Sequence, residues 1–391
     1  MKILQIVPSI SLIYGGPSQM VLGLAPALAR EGVEVTILTT DSNGDSGQKP
    51  LDVPLNSPVK QDGYEIIYFR CAPFRRYKFS LDLLLWLKRH ANEFDIAHIH
   101  ALFSPVSSAA ATVCRLQKLP YILRPLGTLD PADLQKKKQL KQLYVAILER
   151  RNLAGAAAIH FTSEQEAKVS ARFGVSTPDL VIPLGVIPPV AEKGEVHLQL
   201  GIPNDVPLVL FMSRIDPKKG LNLLIPALEK LLADGFNFHF VLAGTNPQDP
   251  IYEQKIILQI QNSLLRSHST ITGFVRGELK ASLLQAADLF VLPSYYENFG
   301  IAVAEAMVAG TPVVISDQVH IWQQVRDSES GWVGATEVES LVELLREALQ
   351  NPQECQRRGL NAQKYALQYF SWNAIAQRTI QAYQELIRSF P

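Results

Sequence analysis

From Ile3 to Ser316 the chain keeps alternating short apolar runs with longer amphipathic ones. A run too short for a helix, followed by a helical period, is the pattern of a buried strand feeding a helix that covers a sheet. In the first half the strands read Ile3–Val7, Val33–Thr39, Glu65–Arg70, Ile96–His100, Tyr121–Arg124 and Ala156–Phe161. Between them fall a helix from about Ser18, one over Leu81–Ala91 and another after His100. Ser163-Glu164-Gln165-Glu166 has the form of a capping box and opens a helix expected to reach Phe173, and Val181–Val186 closes the unit. Strand and helix in regular succession predict a parallel sheet with helices on both faces.

The alternation then stops and restarts. Proline and charge over Pro188–Pro207 mark a linker, after which strands are expected at Leu208–Ser213, Phe238–Ala243, Thr270–Phe274, Asp288–Pro293 and Pro312–Ser316. The fold class is therefore α/β, with two Rossmann-like domains: residues 1–187, a linker at 188–206, residues 207–371, and a last amphipathic helix over 372–391. Ligands of such sheets lie beyond the carboxyl ends of the strands, which is where the motifs below fall.

With 391 residues and 47% hydrophobic content the chain can bury two cores. Its zero net charge conceals a split, since residues 1–185 carry 21 Lys and Arg against 16 Asp and Glu, and the remainder carries 16 against 21. A difference of five charges in each direction is too small to argue for nucleic acid, and no basic motif interleaved with aromatics supports it. Cys71, Cys114 and Cys355 are too few and too scattered for a disulfide framework or a metal site, so a reducing cytoplasmic compartment is expected. The opening apolar stretch is too short for a signal peptide, and no later run is long enough to span a membrane. A soluble or at most peripheral protein is the expectation. Neither G-x-G-x-x-G nor the P-loop pattern occurs, which removes the main support for dinucleotide or P-loop chemistry.

Glu297-Asn298-Phe299-Gly300-Ile301-Ala302-Val303-Ala304-Glu305 sets two carboxylates eight residues apart across the entry to an apolar helix. Asn298 and Gly300 suit a tight turn, so the helix is expected to begin near Ile301 with Glu297 at its mouth. In a continuous helix the two carboxylates would stand about 12 Å apart, too far to act as one acid/base pair on a single bond. They suit two polar ends of an extended ligand, with helix N-terminal amides facing an anion between them. Ser213-Arg214-Ile215-Asp216-Pro217-Lys218-Lys219-Gly220 follows a strand, and Arg214 and Lys219 offer a fork and a compact charge to phosphate oxygens. Tyr14-Gly15-Gly16-Pro17-Ser18 follows the first strand, where Gly15 and Gly16 let backbone amides approach a ligand closely. His98 and His100 alternate onto one face at the end of another strand, with His100 nearer the carboxyl end.

The E-x7-E run resembles that of the retaining glycosyltransferases of the GT-B fold, family 4. Arg214 to Gly220 is similar to that family's R-x4-K-G signature, and Tyr14–Ser18 to its glycine-rich loop. The resemblance covers nearly the whole chain. It implies transfer of a hexose from a nucleotide-diphosphate sugar to a saccharide or lipid-linked acceptor, in polysaccharide, lipopolysaccharide or glycolipid synthesis. By resemblance Glu305 would hold the ribose, Glu297 with the amides of Asn298, Phe299 and Gly300 would face the hexose, and Gly273-Phe274-Val275 would contact the base. His100 would hydrogen-bond the donor sugar or hold the acceptor. Arg214 and Lys219 would stabilise the leaving diphosphate, so no metal or other cofactor is expected, and no D-x-D occurs. Ile182-Pro183-Leu184-Gly185-Val186 lacks the asparagine and acid of the family's P-N-G-V-D turn, and Ser316–His320 lacks its glycine pair.

The acceptor side is expected in the first domain, where Arg75, Arg76 and Lys78 cluster. There too, residues 136–151 place Leu140, Leu143, Tyr144, Ile147 and Leu148 on one helical face, with Lys136, Lys137, Lys138, Lys141, Arg150 and Arg151 elsewhere. Such a helix either packs its stripe on the sheet or makes peripheral membrane contact on anionic lipid. Two other functions stay open: a GT-B nucleotide-sugar epimerase, which would not need both signatures, and a non-catalytic two-domain sugar-binding protein.

Overall fold

The computed structural model describes residues 1–44, 48–72, 77–135, 138–190, 195–203 and 205–390. They form two compact units, Met1–Gly185 with Trp372–Pro391, and Val186–Ser371. The stretch expected as a linker is counted in the second unit, and its described part carries a short helix, Glu195–Leu200. Arg75, Arg76, Lys136 and Lys137 lie outside the described residues.

The first unit holds eight strands: β1 Lys2–Ile6, β2 Glu34–Thr40, β3 Pro58–Gln61, β4 Tyr64–Phe69, β5 Ile96–His100, β6 Tyr121–Arg124, β7 Ala158–Phe161 and β8 Asp179–Val181. Their order is β3-β4-β2-β1-β5-β6-β7-β8, all parallel except the β3/β4 pair. Each strand sends alternate residues to opposite faces. Leu4, Ile6, Leu38 and Ile99 enter one core with helices Leu81–His90 and Pro105–Leu116, and Ile3, Val7, Ile37 and Ile122 enter the other with helix Gly16–Arg30. Burial on both faces is why these strands read as unbroken apolar runs. The edge strand β3 was not legible, because Pro58-Val59-Lys60-Gln61 is half polar and nearly all exposed. The helix after Ser163 spans only Glu164–Val169, short of the expected Phe173. Ser163 caps it as expected, but the Glu166 carboxylate accepts from Thr162 and Gly127 rather than closing the box on Ser163.

The second unit has a six-stranded parallel sheet: β9 Leu208–Met212, β10 His239–Ala243, β11 Ser269–Gly273, β12 Leu289–Leu292, β13 Val313–Ser316 and β14 Gly331–Gly334, in the order β11-β10-β9-β12-β13-β14. Strand β14 was missed because its Gly331-Trp332-Val333-Gly334 is too short and glycine-rich to stand out.

The chain returns to the first unit with helix Trp372–Ser389, whose Ile375, Ala376, Ala382 and Tyr383 join the core beneath helix Gly16–Arg30. Trp372 fits because two neighbours lack side chains: a Cβ on Gly23 or on Gly185 would overlap its indole. Gly23 sits inside a helix, where alanine is ordinarily better by about 1 kcal/mol. Gly23→Ala is nonetheless expected to lower stability by about 1–3 kcal/mol through overpacking. A shifted urea midpoint measures it, and an unchanged or raised midpoint would contradict the packing account.

Candidate functional site

In the second unit β9 pairs with β10 on one side and β12 on the other, so the connections leave in opposite directions and a crevice opens above the carboxyl ends of these neighbours. The loops that leave them carry both charge signatures. After β9, Asp216 caps a turn at Pro217–Lys219 through its side chain. Gly220 then adopts φ 73°, and a Cβ there would collide with the Pro293 carbonyl at the end of β12. That close approach sets Lys219 against Glu297, and the ammonium forms an ion pair with the carboxylate, both side chains largely buried. The Glu297 backbone is held in turn by the loop after β13, donating to the Gln318 carbonyl and accepting from the His320 amide.

Gly300, at φ 80°, is the N-cap of helix Ile301–Ala309, which begins where the sequence places it. Its amide neighbours differ in role. Phe299 turns its ring into the core against Phe370, leaving only its backbone for a ligand, whereas the Asn298 side chain keeps a buried, unpartnered Oδ1. Glu305, one turn inside, pairs with Lys280 at 2.6 Å. Lys280 was missed, although a signal existed: it is the one lysine of helix Gly277–Ala286, and Glu305 is the one charge of helix Ile301–Ala309. The helix of Lys280 directly follows Gly273-Phe274-Val275, so the ion pair ties that loop to Glu305. There Gly273 takes φ 70°, Phe274 is 73% exposed and Val275 is buried. Arg214 shares the loop of Lys219 but is exposed, hydrogen-bonded to Gln248.

In the first unit β1 lies between β2 and β5, so the loops after β1 and β5 flank the reversal of strand order. Gly15 takes φ 68° and ψ −127°, a conformation open to glycine, and Gly16 starts helix Gly16–Arg30. Ser18 pins the loop by donating to the Ser9 and Ser11 carbonyls.

His100 is not at an open surface. It is 1% exposed, stacked on His98, and its Nε2 meets Gln5 Oε1 at 2.7 Å. Burial holds His98, His100 and His160 well below the ordinary imidazole value, with Arg124 adding to the effect on each, so each ring is neutral and carries one N–H. The carbonyl of Ile182 can only accept, so His160 Nε2 donates to it and Nδ1 accepts from His98 Nε2. His98 Nδ1 then accepts from the Tyr383 hydroxyl, which accepts from Gln5 Nε2. Gln5 Oε1 takes the His100 Nε2 proton, leaving the His100 Nδ1 lone pair buried and without a partner. His98 is thus the hub of a polarised chain running from Ile182, just past β8, to His100 by way of the C-terminal helix. Arg124, buried beside it with Met20 Sδ as its hydrogen-bond partner among the described residues, was also missed, and desolvation brings its pKa down to about 10.

Among the described residues no group of three His, Cys, Asp or Glu side chains could hold a metal ion, and no helix is long and apolar enough to cross a membrane.

Comparison with known proteins identifies two glycosyltransferase models that together span most of the chain. Residues 192–365 match the model "Glycosyl transferases group 1", and residues 15–185 match "Glycosyl transferase 4-like domain". A phosphatidyl-myo-inositol mannosyltransferase of Mycolicibacterium smegmatis is 27% identical over 362 residues, covering 85% of this chain and 80% of its own. Among solved structures, sucrose-phosphate synthase of Thermosynechococcus elongatus superposes with a TM-score of 0.76 at 24% identity over the whole of both chains. HepE of Anabaena, in complex with UDP and glucose, does so with 0.73 at 20% identity, covering 98% of this chain and 100% of its own. Both have this chain's fold.

Two outcomes follow from the geometry. Gly220→Ala forces a Cβ into a left-handed residue and a carbonyl oxygen, and is expected to cost at least about 2 kcal/mol and to disturb the Lys219–Glu297 pair. Chemical denaturation and nucleotide affinity report the two effects. Below pH about 6.5 the unfolded histidines take up protons that the folded ones refuse, so the stability present above that pH falls as pH drops. Up to three protons give at most about 4 kcal/mol per pH unit. His98→Asn with His160→Gln is expected to flatten that slope, measured as urea midpoints between pH 7 and 5.

Proposed function

The chain belongs to the group 1 glycosyltransferases of the GT-B fold, and we propose that it moves a hexose from a nucleotide-diphosphate sugar to a saccharide or lipid-linked acceptor with retention of anomeric configuration. The Lys219–Glu297 ion pair at the β9/β12 reversal carries this reading. An ammonium held by a single carboxylate is available to a stronger anion. A diphosphate entering beside Arg214 would draw Lys219 toward its oxygens and release Glu297 toward the hexose hydroxyls, next to the amides of Asn298, Phe299 and Gly300.

As the bond from sugar to phosphate breaks, negative charge grows on the leaving diphosphate, and Lys219 with Arg214 stabilises that charge more than it stabilises the ground state. Protein cations would do this work without a divalent ion. Glu297 supports positive charge at the anomeric carbon, and the acceptor hydroxyl attacks from the face the diphosphate leaves, passing its proton to the departing phosphate oxygen. Glu305, oriented by Lys280, holds the ribose. The base rests at Gly273–Val275. The complex of HepE with UDP and glucose supports a nucleotide-sugar donor, and the mannosyltransferase relative, named for phosphatidyl-myo-inositol, supports an acceptor on lipid.

The exchange of partners at Lys219 separates two variants. Glu297→Gln releases Lys219, so UDP is expected to bind as tightly or more tightly while transfer falls by at least about 100-fold. Lys219→Ala is expected to lose both. Thermal shifts with UDP, GDP and ADP, with and without a chelator, together with product stereochemistry by NMR, test the proposal. Nucleotide binding that weakens in Glu297→Gln, a shift lost on chelation, or an inverted product would each contradict a stated part of it.

A further inference from the structure

The stretch Lys138–Gly155, between β6 and β7, runs as helix Lys138–Tyr144, a wider turn Val145–Glu149 and helix Arg150–Gly155, and its polarity is inverted. The side toward helix Pro105–Leu116 buries Val145 and Leu153 but is otherwise hydrogen-bonded. The Tyr144 hydroxyl donates to Ser108 Oγ at 2.8 Å, and Ser108 Oγ donates to Glu149 at 2.5 Å. Asn152 donates to the Ser108 carbonyl and accepts from Thr112. Glu149 and Asn152 are buried, while Leu140, Leu143 and Ile147 are 62%, 58% and 59% exposed and Leu148 is 38% exposed. Of the apolar stripe, Tyr144 turns inward while Leu140, Leu143, Ile147 and Leu148 face outward, and hydrogen bonds hold the segment in that orientation.

Single exposed apolar residues need no explanation, but four on one face of one segment do. The charges around them indicate what covers them. Over residues 138–151 the basic residues are Lys138, Lys141, Arg150 and Arg151, and the one acid, Glu149, is buried. A second copy of the chain docked symmetrically would bring the exposed Arg150 and Arg151 against themselves with no surface carboxylate in this stretch to meet them. A surface with an apolar interior and anionic headgroups accepts both features at once.

We propose that this face seats the protein on an anionic lipid surface. The inference stands on the inverted helix alone, and it gives the transferase reading a lipid-borne acceptor.

The test is flotation of the full chain with vesicles of phosphatidylcholine alone or mixed with phosphatidylglycerol. The expected result is association with the mixed vesicles only, lost in Leu143→Glu/Ile147→Glu and weakened about fivefold per charge in Arg150→Ser and Arg151→Ser. The UDP thermal shift is measured on every variant. Its absence in the unaltered chain would count against the donor site, whereas its persistence beside failed flotation would count against the membrane proposal alone. No association with mixed vesicles, or association undiminished in the double glutamate variant, would overturn the inference. So would a concentration-dependent dimer that this variant abolishes, which would assign the face to a second copy.

Discussion

In both sheets the first strand of the unit is flanked on one side by the next strand and on the other by a later one, β1 by β2 and β5, β9 by β10 and β12. Parallel pairing forces each connection to cross over a face, so all the loops that leave the carboxyl ends gather at one edge, and the reversal of order parts two of them. The residues with chemistry occupy those loops. Gly15 and Gly16 follow β1, His100 ends β5, Arg214 and Lys219 follow β9, and Glu297 follows β12. Within the second unit the nearness of Lys219 and Glu297 is a consequence of strand order, since they are 78 residues apart in the chain yet form an ion pair.

That ion pair would be a poor device for stability alone. Two partly buried charges lose hydration that their attraction only roughly repays, and apolar residues of similar size would often serve as well. In the proposed transfer its use is exchange. A buried cation that already has a partner can be kept charged and positioned until a doubly charged group displaces that partner, whereas an unpaired lysine would be costly to hold in the same place. The Lys280–Glu305 pair keeps Glu305 oriented in the same way, on a helix otherwise without charge.

How much of this was legible depended on whether local chemistry decided the outcome. The start of helix Ile301–Ala309 could be read because only glycine accommodates the left-handed turn at Gly300, and the strands buried on both faces could be read from their composition. Helix Trp372–Ser389 announced itself by period. What escaped depended on partners distant in sequence. His100 alternates toward the functional edge as expected, but its burial is decided by Gln5 and Tyr383. Lys280 matters because of Glu305, and Gly220 because the Pro293 carbonyl comes close. The helix at 138–151 was read with its apolar stripe as one that could pack inward. The structure turns it the other way because Ser108, on a neighbouring helix, collects Tyr144, Glu149 and Asn152, and no period within the segment reveals that.

The polar chain of the first unit resolves a difficulty that the topology creates. The chain leaves this unit at Gly185 and returns only at Trp372, so the final helix must find its place without the guidance of a short connection. An apolar stripe alone would tolerate sliding by a turn or a small rotation at little cost. Two fixtures prevent both. Trp372 enters a slot defined by the missing side chains of Gly23 and Gly185, which sets the helix along its axis. Tyr383 lies eleven residues on, close to three full turns and so on the same face, and joins Gln5 to His98, which sets the rotation. A misplaced Tyr383 would leave Gln5 Nε2 and His98 Nδ1 buried without partners, a penalty that an apolar contact cannot impose. The same placement orients the His100 imidazole through Gln5, so correct docking of the last helix also fixes the ring at the end of β5.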